Sequence, residues 1–93
     1  MKPEEYFKLS DGRVLEGIGD LSKALEDMDD WVFNHHVNIY KNDFGNWILH
    51  VFKEVELANK IFACDNRMDM VQIIKDYIFE TSEIAKSEVS SYS

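Results

Sequence analysis

The chain has few of the residues that interrupt or staple a fold. It contains one proline, four glycines and one cysteine in 93 residues. A single thiol, Cys64, cannot close an intramolecular disulfide, so nothing points to an oxidising compartment. Positive charge is scarce as well. Ten Lys and Arg stand against 18 Asp and Glu, a formal charge of -8 at pH 7. Nucleic-acid binding needs a basic patch, and none can be drawn here. The same excess argues against an anionic membrane surface. No apolar run approaches the roughly 20 residues that span a bilayer. The opening Met1-Lys2-Pro3-Glu4-Glu5 lacks the apolar stretch of a signal peptide. These absences lead to the expectation of an acidic, cytoplasmic domain that contacts neither nucleic acid nor membrane.

Core-forming residues are plentiful. Apolar side chains make up 45% of the chain and aromatics 13%, enough for one small core and too many for a disordered chain. The reading is mainly α: a bundle of four to five helices with a small N-terminal β-hairpin. It forms one domain over residues 1–88, with a frayed polar tail at residues 89–93. Asp11-Gly12 favours a two-residue turn within residues 6–17. That turn would set Leu9 opposite Val14 and Lys8 opposite Leu15, with Phe7, Leu9, Val14 and Ile18 facing a core.

Helical periodicity begins at Asp20. Leu21, Ala24, Leu25 and Met28 fall at i, i+3, i+4 and i+7. Asp29 and Asp30 suit the start of a new helix better than the end of the old one, which places a second helix at residues 30–37. Residues 38–41 read as a connection. A third helix follows Asn42-Asp43, with Phe44, Trp47, Ile48, Val51 and Val55 as its stripe, and helix continues through Leu57, Ala58 and Ile61. Asn66 with Asp69 has the spacing of a capping box at the head of the last helix. Met70, Ile73, Ile74, Tyr77, Ile78, Thr81, Ile84 and Ala85 form its stripe. The distal part, Ile78 with Ile84 and Ala85, suits either a symmetric homodimer through the last helices or a helix that folds back across the hairpin and finishes the monomer core.

One polar constellation gathers all three histidines: His35, His36 and Asn38, then Asn42, Asp43, Asn46, Trp47 and His50. Two chemistries compete for it. Asp43, Asn46 and His50 share one helix face, so His36, Asp43 and His50 could converge as a metal site or a hydrolytic acid–base set. The simpler reading is a structural polar centre of His36, Asn38, Asn42, Asp43 and Trp47. Asn42 or Asp43 caps the third helix and His36 ties the preceding helix to that cap. The structural reading is preferred, with no catalytic residue, no cofactor and no resident metal. Three lesser features read the same way. Trp31, Phe33, Phe44, Trp47 and Phe52 are expected in the core rather than as a ligand-stacking set. Cys64 lacks a neighbouring base. Glu26, Asp27, Asp29 and Asp30 lack the Gly and distal Glu of a calcium loop.

The succession Phe7-x-Leu9-x-Asp11-Gly12, Leu21 to Leu25, Phe33-x-x-His36-Val37-Asn38, Asn42-Asp43-Phe44-x-x-Trp47-Ile48 and Leu57-Ala58 resembles a small prokaryotic, largely archaeal domain family of unknown function. That family's pattern opens F-x-L-x-D-G and centres on H-V-x-x-x-x-N-D-F-x-x-W-I. The likeness covers about residues 7–61. It implies a non-catalytic module, alone or attached to other proteins, with no catalytic residue or cofactor to carry over. The chain departs from the pattern at Gly45, where a helix interior gains about 1 kcal/mol from Ala unless close packing needs the glycine. The expected function is therefore a small acidic, non-enzymatic protein–protein interaction or regulatory module. The alternative is a small metal-binding or hydrolytic domain using His36, Asp43 and His50.

Overall fold

The structure, a computed structural model, describes residues 2–90, with side chains through residue 81. The fold is mainly α with an N-terminal β-hairpin. A 3₁₀ turn, Pro3–Glu5, leads into strands β1 (Phe7–Lys8) and β2 (Val14–Leu15). Helices α1 (Ile18–Asp27) and α2 (Asp30–His36) follow. A second hairpin joins β3 (Val37–Asn38) to β4 (Lys41–Asn42), and α3 (Asp43–Trp47) starts directly from it. A π-helical turn, Ile48–Phe52, prolongs α3; then come α4 (Val55–Phe62) and α5 (Arg67–Ser90).

The first hairpin differs from expectation by one register step. Phe7 pairs with Leu15 and Lys8 with Val14. The loop holds three residues rather than two: Leu9 N–H donates to Arg13 O, and Gly12 N–H donates to Leu9 O. A two-residue I′ turn needs positive φ at both Asp11 and Gly12, but only Gly12 has it, at 97°. A type I turn followed by a left-handed glycine costs less, because Asp11 stays in an ordinary region and its carboxylate accepts the Arg13 N–H. A one-residue slip turns side chains to the opposite face. Leu9 and Leu15 are therefore buried, whereas Val14, expected in the core, is 47% exposed.

Leu21, Ala24, Leu25 and Met28 are buried as their spacing predicts, and α1 packs along α5 against Met70, Val71 and Ile74. Burying side chains of this size contributes about 1.5–3 kcal/mol each. The helix starts at Ile18, two residues early, because Asp20 reaches back to accept the Glu16 N–H. Its C-terminal end is closed from a distance: the Arg67 guanidinium donates to Leu25 O and Glu26 O. Two residues of the acidic run beside it have partners: Asp27 pairs with Arg13 and Glu26 with Lys75.

The chain breaks at Lys53, whose φ of 59° is left-handed, so the third helix and α4 are separate. Val55, placed on the buried stripe by period, is exposed because the break rotates α4. Leu57, Ala58 and Ile61 are buried. Gly45 has a packing reason: a Cβ there would lie 2.6 Å from the Phe62 ring. Asn66 Oδ1 accepts the Asp69 N–H and its amide donates to the Asp69 carboxylate, which starts α5. Met70 and Ile74 are buried, Ile73 and Tyr77 are partly so, and Thr81 is exposed. Ile78, for which a second copy and this chain's own core were both open, is half-buried against this chain's own core. The side chains of Ile84 and Ala85 and residues 91–93 lie outside those described. The backbone of residues 89 and 90 belongs to α5.

Candidate functional site: the His36–Asp43 polar centre

His36 ends α2 and is 5% exposed. Its Nδ1 lies 2.9 Å from Asp43 Oδ2, and its Nε2 accepts the Ser10 backbone N–H at 3.0 Å. An imidazole that accepts at Nε2 must carry its proton at Nδ1, which then donates to the carboxylate. The ring sits between Phe7, edge-on at 5.0 Å, and Phe44 at 5.4 Å, with the His35 ring against it at 4.8 Å.

Asp43 is the first residue of α3, where the helix dipole favours a carboxylate. It also accepts from Lys41 Nζ at 3.0 Å. Partial burial opposes its ionisation, but the hydrogen bonds from His36 and Lys41 and the Lys41 charge prevail, holding its carboxyl below the usual carboxylate range. Asn42 is the cap itself. Its Oδ1 accepts the Gly45 N–H at 3.0 Å, and its amide donates to Ile61 O at 3.0 Å, tying α3 to the end of α4. Asn38 closes the other end of the unit. Its amide donates to Asn34 O at the end of α2, and its Oδ1 accepts the Tyr40 N–H in the second hairpin. Trp47 Nε1 donates to Glu5 O at 2.8 Å and so holds the chain just before the first hairpin.

Of the residues proposed as a metal or acid–base set, His36 and Asp43 meet. His50 lies exposed on the π-helical turn. Among the described residues, no three His, Cys, Asp or Glu side chains gather in a group that could hold a metal ion. The pair resembles half of a proton relay, yet the Nε2 lone pair that a base would use is occupied by the Ser10 N–H. Among the described residues, no buried side-chain nitrogen or oxygen lacks a partner.

A groove of about 490 Å³ between α4 and α5 contains Cys64, Asp69 and Asp76. Several of its polar groups are engaged. The Cys64 thiol donates to Asn66 O, Asn66 donates to Asp69, and Gln72 donates to Asp76. Trp31, expected in the core with the other aromatics, is 58% exposed. Phe33, Phe44 and Trp47 are buried.

Sequence reasoning missed Ser10 and Glu5 because each contributes a backbone group, which no residue type announces. It also missed the second hairpin. Ile39 and Tyr40 form its two-residue loop and are 90% and 88% exposed. The available signal was an apolar pair that fits neither flanking helix period, next to an Asn able to form an Asx turn.

No family model, curated protein or solved structure matches this chain. What the centre can do therefore follows from its geometry: it joins the first hairpin, α2, the second hairpin, α3 and α4 through paired polar groups.

Proposed function

We propose that this chain is a small, cytoplasmic, non-enzymatic protein–protein interaction or regulatory module, related to the prokaryotic domain family it resembles. One observation carries the reading: the polar centre is engaged internally, while Ile39 and Tyr40 stand in solvent on a short hairpin. Exposed apolar side chains scattered singly need no explanation, but an adjacent apolar pair at a hairpin tip is costly to leave wet. A tyrosine there offers apolar area and a hydroxyl at low entropic cost, a combination enriched at interfaces. The chain's net charge of -8 favours a partner with a basic rim.

Photo-crosslinking from position 40 tests this in cells that contain the native partner. A defined crosslinked protein, lost on Ile39→Ser, supports the tip as the contact. Crosslinks no more frequent than those from an exposed control position such as Lys60 would sink it. A homodimer through α5 belongs to the same proposal, now carried by the exposed Met68 and Phe79 rather than by Ile78. Light scattering at tens of micromolar protein checks it, and a monomeric mass removes it.

A further inference from the structure

We propose that His36 is a proton-operated latch on the first hairpin. Two neighbours of this buried imidazole favour opposite protonation states. The Ser10 N–H, 3.0 Å from Nε2, requires a lone pair there and so a neutral ring. The Asp43 carboxylate, 2.9 Å from Nδ1, favours the imidazolium. A second proton on Nε2 would point an N–H at an N–H. The Ser10 contact would be lost while the Asp43 contact became a charged pair.

The groups facing the ring from its surroundings set the balance. From α3 comes the Asp43 carboxylate, itself shared with the Lys41 ammonium of β4. From α2 comes the His35 ring, edge-on. The first hairpin contributes the uncharged Phe7 ring and the Ser10 N–H; its loop charges Asp11 and Arg13 pair with each other, and Arg13 also with Asp27 of α1. Phe44 closes the remaining side with an uncharged ring.

Besides its buried side chains, the hairpin is held by the Ser10 N–H on His36, by the exposed Arg13–Asp27 ion pair to α1, and by Trp47 Nε1 on Glu5 O just before it; of these the first alone involves an imidazole. Trp47 Nε1 on Glu5 O is indifferent to pH and acts as the hinge. Ser10 on His36 is the latch. Loss of the latch leaves the turn end held by the exposed Arg13–Asp27 pair, which is worth little in water, and loosens the cover that Leu9 and Leu15 provide over the core. The geometry thus describes a flap that opens on acidification without unfolding the α1–α5 packing.

Nitrogen-15 NMR of the full chain tests this, with pH taken from about 8 to about 5, where imidazoles ordinarily titrate. The imidazole nitrogens report protonation and the Ser10 amide reports the latch. Protonation of Nε2 should coincide with an approximately tenfold or greater loss of Ser10 hydrogen-exchange protection, with amides of Leu25 and Ile74 unchanged. Asp43→Asn keeps an acceptor for Nδ1 but removes the anion, so the Ser10 amide should stay protected to lower pH than in the unmodified chain. Protonation of Nε2 without loss of Ser10 protection would overturn the latch. So would an imidazole that stays neutral until the whole chain unfolds. If Asp43→Asn does not fold, the unmodified chain alone still gives one of these outcomes.

Discussion

The two hairpins are built in opposite senses. The first has a polar loop, Ser10-Asp11-Gly12, and strands whose apolar residues Phe7, Leu9 and Leu15 turn inward. The second has a polar, bonded stem, Asn38 and Asn42, and an apolar loop, Ile39-Tyr40, that turns outward. The first contributes to the core and is fastened to it through His36 and Trp47. The second fastens α2 to α3 and leaves its tip free of any structural task. Polar groups satisfied within the chain maintain architecture, and apolar groups left outside it are available to a partner.

His36→Ala should break the first hairpin's attachment most severely. It orphans the Ser10 N–H, removes a partner from Asp43 and leaves a cavity between Phe7 and Phe44. A loss of about 2–4 kcal/mol in urea unfolding is expected. Asn42→Ala removes the α3 cap and the bond to Ile61 O, and should cost about 1–2 kcal/mol in the same assay. Gly12→Ala forces a Cβ into a left-handed turn and should cost about 1 kcal/mol or slightly more. Ile39→Ser with Tyr40→Ser should change stability by no more than about 0.5 kcal/mol, since both side chains are already in water.

Acid sharpens the comparison further. The Asp43 carboxyl is held below its unfolded value by His36 and Lys41, against the opposing effect of burial. Its contribution is therefore complete above the unfolded carboxylate value of about 3.9 and is lost as pH falls through the lower folded one. Asp43→Asn should flatten the stability-against-pH curve in that acid range. Tip substitutions should leave its slope unchanged.

The elements held by local chemistry were legible in the sequence. The Leu21, Ala24, Leu25, Met28 stripe follows from helical period, and the Asn66–Asp69 cap from side-chain reach over one turn. The His36–Asp43 contact spans only seven residues and could be anticipated from a helix end meeting a cap. What was not legible depends on distance along the chain or on a choice between nearly equal turns. Arg67 closes α1 from 42 positions away, and Trp47 holds Glu5 O across the same separation. Periodicity carries no information about either. Lys53 adopts a left-handed conformation with no glycine to announce it, and the exposure of Val55 follows from that break. The second hairpin lacks the Asn-Gly or Asp-Gly that marks such turns, so it read as a connection.

The most direct test sets the two hairpins against each other in one urea-unfolding comparison of His36→Ala and the Ile39→Ser, Tyr40→Ser pair. The midpoint of His36→Ala should fall well below that of the unmodified chain, while the tip variant unfolds at the unmodified midpoint. A tip variant destabilised as much as His36→Ala, or a His36→Ala chain as stable as the unmodified one, would contradict the division between an architectural centre and a free tip.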